Sequence, residues 1–156
     1  MVIQRWQSLL LLVAAVMMGC FTFMSLGQVQ MPDYTLNFTT MGFAIEGIPT
    51  DGAKGGMYLT TWALFIVSLM SMIIPFIDIF LFKNLRLQRM LCLIELLFIL
   101  GVAGTCAVYG YHSLSPYCVS WSSLAIAPII AFVATYLAYR RIGKDQRTLQ
   151  SAYRIR

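Results

Sequence analysis

Two carboxylic acids stand inside otherwise apolar sequence, Asp78 in IIPFIDIFLF and Glu95 in MLCLIELLFIL. A short basic turn carrying Lys83, Arg86 and Arg89 separates them. Asp78 precedes Lys83 by five residues and Glu95 follows Arg89 by six, which is roughly 7.5 and 9 Å along a helix axis. The two carboxyls therefore sit at matched depth on the two arms of one hairpin. An ionised carboxylate at the centre of a membrane helix costs about 2.5 to 3.5 kcal/mol, and less near the interface. Each acid needs a cation, a proton or water. Lys83 and Arg89 fall off the acids' own helix faces, so the expected partners come from the first apolar run: Arg5, with Gln4 and Gln7 beside it. Two chemistries are open to such a cluster. In one, Arg5 neutralises an acid and fixes helix order; in the other, both acids face one cavity and bind a proton or cation during transport.

Other chemistry finds little footing. His112 is the single histidine, across the apolar layer from both acids. Cys20, Cys92, Cys106 and Cys118 contain no C-x-x-C pair, so neither a zinc site nor a redox motif is expected, although Cys106 and Cys118 fall on one side and suit a disulfide if that side is oxidising. No phosphate-binding glycine loop, H-E-x-x-H, G-x-S-x-G or dinucleotide fingerprint occurs. Two carboxyls sharing a proton can activate water, but the flanking glycines that would accompany such a site are missing. The chain is expected to be no enzyme and to need no cofactor or metal.

The elements that position the acids follow from composition. With 60% hydrophobic and 11% charged residues among 156, the bilayer is the expected solvent. Continuous apolar runs, at about residues 6–27, 57–82, 90–111 and 121–139, match the length of a membrane-crossing helix. Continuous runs argue against an alternating-pattern barrel. The expected fold is an all-α membrane protein, an antiparallel bundle of four transmembrane helices. An external loop at 28–56 joins the first two. Tyr34, Leu36 and Phe38 alternate with polar residues, and Phe43 and Ile45 do so again, which predicts a small β-hairpin there. Pro128 falls within the fourth run, with Ser123, Ala127 and Ala131 forming a small-residue packing face.

Charge sets the orientation. Arg5, the three cations of the central turn, and Arg140, Arg141, Lys144, Arg147, Arg154 and Arg156 of the tail lie on one side, against Lys54 on the other. By the positive-inside rule both termini are cytoplasmic. The net charge of +5 is thus a membrane signal, with an anionic inner leaflet as partner and no nucleic acid. Ile142, Leu149 and Tyr153 share a helical side, so the tail at 140–156 is expected to lie as a short amphipathic helix on that leaflet.

I-Q-R-W-Q at Ile3–Gln7, K-N-L-R-L-Q at Lys83–Gln88 and the ending from Gly143 to Arg156 resemble a bacterial family of small four-helix membrane proteins, domain of unknown function 4293. The resemblance spans the chain in segment order and implies a bacterial inner-membrane setting. It carries no activity, substrate or site residue. The role expected on this reading is a structural or accessory subunit of a membrane assembly, partnered by other membrane proteins or by itself. The alternative is a small proton- or cation-coupled transporter or channel subunit using Asp78 and Glu95.

Overall fold

The computed structural model describes the backbone of residues 2–31, 34–46, 56–81, 84–112 and 119–154, without the side chains of residues 2–5, 58, 112, 119, 149–150 and 152–154. Four long helices dominate it: α1 (Val2–Phe23), α2 (Trp62–Phe80), α3 (Leu85–His112) and α4 (Ala127–Arg154). The shortest, α2, has 19 residues, or about 28 Å at the helical rise, and all four are long and apolar enough to cross a membrane. Helix α1 packs on α2 and α4, and α3 does likewise, which closes a ring of four.

The expected hairpin is present as β2 (Thr35–Thr39) and β3 (Gly42–Glu46), with Phe38 and Phe43 paired across the strands and their rings stacked 4.6 Å apart. It is the middle of something larger. Strands β1 (Gly27–Gln30), β4 (Met57–Thr60) and β5 (Val119–Trp121) extend it to a five-stranded antiparallel sheet in the order β4-β3-β2-β1-β5. Val29, Leu36, Phe38 and Phe43 bury one face of that sheet in a shared core with Met18, Phe21 and Leu64 of the helices and Leu26 of the α1–β1 link. Resting on helix ends gives the hairpin the support that an isolated pair of strands lacks.

A chain of threonines ties this junction together. Thr61 Oγ1 donates to the carbonyl of Thr40 at 2.8 Å, Thr40 Oγ1 to the carbonyl of Thr22 at 2.6 Å, and Thr22 Oγ1 to that of Met18 at 2.7 Å. All three side chains are buried, so each hydroxyl meets a helix or turn carbonyl that water does not reach. The relay puts the end of α1 beside the start of α2, and β1–β5 pairing brings the start of α4 to the same end. Gly110 admits the Trp121 ring there, since a Cβ on it would lie 2.6 Å from the indole.

Three expectations change. Gly27, residues 57–60 and Trp121, at the ends of the expected helical runs, are strand rather than helix, because their backbone groups pair across the sheet. Pro128 lies in the first turn of α4, where its missing N–H is no loss. The basic tail is no separate surface helix: α4 runs unbroken to Arg154, and Ile142 is buried with Leu11, Cys92 and Ala138.

Candidate functional site

The buried residues of α2 are Leu64, Ser68, Ser71, Pro75 and Asp78, and those of α3 include Gln88, Cys92, Glu95, Ile99 and Val102. Steps of three and four make each set a single helix face. The two faces meet, because α3 packs antiparallel along α2. Both acids therefore point inward, each only 1% exposed.

The contacts pair off along the antiparallel interface. Ser71 Oγ donates to Glu95 Oε1 at 2.9 Å, and the Cys92 thiol donates to Asp78 Oδ2 at 3.1 Å. Gln88 reaches the Asp78 main-chain carbonyl at 3.5 Å, the outer limit of a hydrogen bond. Pro75, one turn after Ser71, lacks the amide hydrogen that would otherwise bond the Ser71 carbonyl, which leaves that oxygen with acceptor capacity inside the interface. The described partners of both acids are thus neutral side chains.

Several oxygens in this region are buried and have no hydrogen-bond partner among the described residues: Asp78 Oδ1, Glu95 Oε2, Gln88 Oε1 and, on α4, Thr135 Oγ1. Ala138 packs with Cys92, while Ala131 shares the other core cluster with Ile99. Thr135 lies between Ala131 and Ala138 on α4. Buried polar atoms are almost always paired, and a group of unpaired acceptors marks a place with unmet hydrogen-bonding capacity. Oxygen-rich surroundings with two carboxyls suit a proton or a hard cation. Among the described residues no group of three His, Cys, Asp or Glu side chains is set to hold a metal ion.

The expected cluster is only partly assembled. Asp78 and Glu95 share the α2–α3 interface. Gln7 goes elsewhere: it is 2% exposed and donates from Nε2 to Asp145 Oδ2, so it binds the α4 extension to α1. The reason is that α4 continues past Arg140 and brings its acid to the level of Gln7. The side chains of Arg5 and Gln4 lie outside the described residues, as do Lys83, the Arg154 side chain, Arg156, the His112 side chain and Cys118, with which the Cys106–Cys118 pairing falls.

The remaining basic residues line the end of the helices farthest from the sheet. Arg86 is exposed, and Arg89 donates to Tyr139 Oη at 3.0 Å with its guanidinium 4.9 Å from that ring's centre. Arg140 and Arg141 each sit 6.0 Å from an aromatic ring, those of Tyr136 and Trp6. Ser71, Gln88, Cys92 and Thr135 were not singled out by sequence. A signal existed for two of them: Ser71 precedes Asp78 by seven residues and Gln88 precedes Glu95 by seven, the repeat of an inward face.

A family model described as Domain of unknown function (DUF4293) matches residues 3–155. No curated protein matches the chain.

Proposed function

Because the chain belongs to this DUF4293 family, whose description assigns no chemistry, we propose a function from the acid pair itself: a small proton- or cation-handling component of a bacterial inner membrane. On this reading the four helices form an antiparallel bundle across the bilayer, with the sheet outside and both termini cytoplasmic. Large apolar side chains such as Leu12, Val16, Ile66, Leu97, Leu100 and Ile129 are exposed around the helices, a surface that suits lipid better than water. The cations gathered at the end opposite the sheet support the orientation.

One observation carries the proposal. Asp78 and Glu95 are buried in one helix interface, each with one carboxyl oxygen bonded to a neutral donor and the other without a partner among the described residues. Ionisable groups held this way inside a membrane mark ion or proton paths by default. A membrane-permeant carbodiimide tests it, because the reagent adds only to a protonated carboxyl. In native membranes the adduct is expected on the peptides holding Asp78 or Glu95, slowed by a competing monovalent cation and lost in Asp78→Asn and Glu95→Gln. No adduct on either acid contradicts the reading.

The second reading is a structural or accessory subunit, in which the acids only fix helix order. A groove of about 390 Å³ between α1 and α2, lined by residues such as Leu12, Val16, Met72 and Phe76, favours it by offering a neighbouring membrane helix a place to pack. Crosslinking in native membranes to one stoichiometric protein, without carbodiimide reaction, selects this reading.

A further inference from the structure

The basic residues at the end of α4 do more than mark orientation. Arg140, Arg141, Lys144 and Arg147 join Arg89 of α3 around one cleft of about 570 Å³. Among the described residues no carboxylate lines it, and Asp145, the acid nearest in sequence, is turned to Gln7 on α1. Among the described residues none of these five cations has an ion pair. Arg140 and Lys144, four apart on one helix, repel each other, so the cluster lacks the counter-charge that its assembly calls for.

The cleft is shaped as well as charged. Arg89 is half-buried, and its guanidinium is held by the hydroxyl and ring of Tyr139. Gly143 stands over that guanidinium: a Cβ there would lie 3.7 Å from Arg89 Cζ and Nε, so the missing side chain keeps the approach to it open. Leu137 lines the apolar side. A planar guanidinium held in place, lysine and arginine around it and an aliphatic wall toward the apolar spans match a phosphate carried on an acyl-bearing molecule.

We propose that this cleft is a binding site for a phosphate oxyanion, supplied by the headgroup of an anionic phospholipid of the cytoplasmic leaflet. The headgroup phosphate sits among Arg89, Lys144 and Arg147, and its acyl chains pass Leu137 toward the lipid-facing side. The proposal rests on the membrane reading but not on the acid pair, and it differs from diffuse attraction to a charged surface in needing the cleft's shape.

Native mass spectrometry of the full chain, exchanged between micelles containing phosphatidylglycerol or phosphatidylcholine, tests it. The unaltered protein is expected to retain phosphatidylglycerol selectively. Lys144→Ala with Arg147→Ala is expected to cut that selectivity about 25-fold, from the roughly fivefold that each basic residue supplies near an anionic headgroup. Arg86→Ala, an exposed cation outside the cleft, leaves it near the unaltered level. Gly143→Leu changes no charge but fills the cleft over Arg89, and it is expected to abolish retention while the helix stays folded. Equal retention by Gly143→Leu and the unaltered protein overturns the site in favour of diffuse attraction, and an unaltered protein that shows neither a lipid preference nor saturable phosphate binding overturns it outright. Inorganic phosphate is the second arm: saturable binding lost in Gly143→Leu, with no lipid preference, supports the oxyanion site but assigns it a soluble phosphate source.

Discussion

Glu95 accepts from Ser71 in a place closed to water, and that single contact yields a sharp comparison. Ser71→Ala removes the donor and leaves both Glu95 oxygens unbonded, at a cost of about 1 to 3 kcal/mol. Glu95→Gln keeps an oxygen to accept from Ser71 and removes the burden of burying an ionisable group. Thermal unfolding in detergent is expected to rank Ser71→Ala below Glu95→Gln, and the reverse order would mean that the hydroxyl does not hold the acid. The acids themselves were legible because a charge in an apolar run stands out. Their partners were not. Serine, cysteine and threonine blend into such runs, and with no opposite charge on the same helix faces Arg5 stood out as the nearest cation, its side chain lying outside the described residues. Gln7 shows why distance along the chain misled: its partner Asp145 lies 138 residues away, on an extension read as a separate surface element.

At the scale of elements, the central hairpin was readable because its side chains alternate with period two. Strands β1, β4 and β5 have three or four residues each, too few to show a period, and β5 finds its partner across the whole of α2 and α3. The four helices were visible as apolar runs, but pairing in the sheet takes over the residues that flank the end of α1 and the start of α2. The α4 extension was misread for another reason: charge changes abruptly at Arg140 while the helical register does not. Ala138, Ile142 and Asp145 continue the inward stripe and meet Leu11 and Gln7 of α1. Ile142→Asp places an unpaired charge in that contact, which typically costs several kcal/mol. It is expected to release the extension, so that trypsin cuts after Arg140, Arg141, Lys144 or Arg147 many times faster than in the unaltered protein. Unchanged cleavage would show that the extension does not depend on this packing.

At the scale of the whole molecule, the two polar features lie in different compartments of the fold. The acid pair is enclosed between α2 and α3, while the basic cleft opens at the end of the helices away from the sheet. A proton or cation approaching the acids from that side meets a positive field, which opposes its arrival from bulk solution unless headgroup phosphates screen the cleft. The two proposals are thus coupled: occupancy of the cleft by an anionic lipid lowers the electrostatic barrier to the acids. The most direct measurement is flux through the full chain reconstituted in phosphatidylglycerol vesicles holding a pH-sensitive dye, with an imposed membrane potential and with monovalent cation supplied on one side. The account predicts proton or cation movement above that of protein-free vesicles, lost in Asp78→Asn and in Glu95→Gln with both variants still folded. Flux indistinguishable between the unaltered protein and those two variants would contradict it.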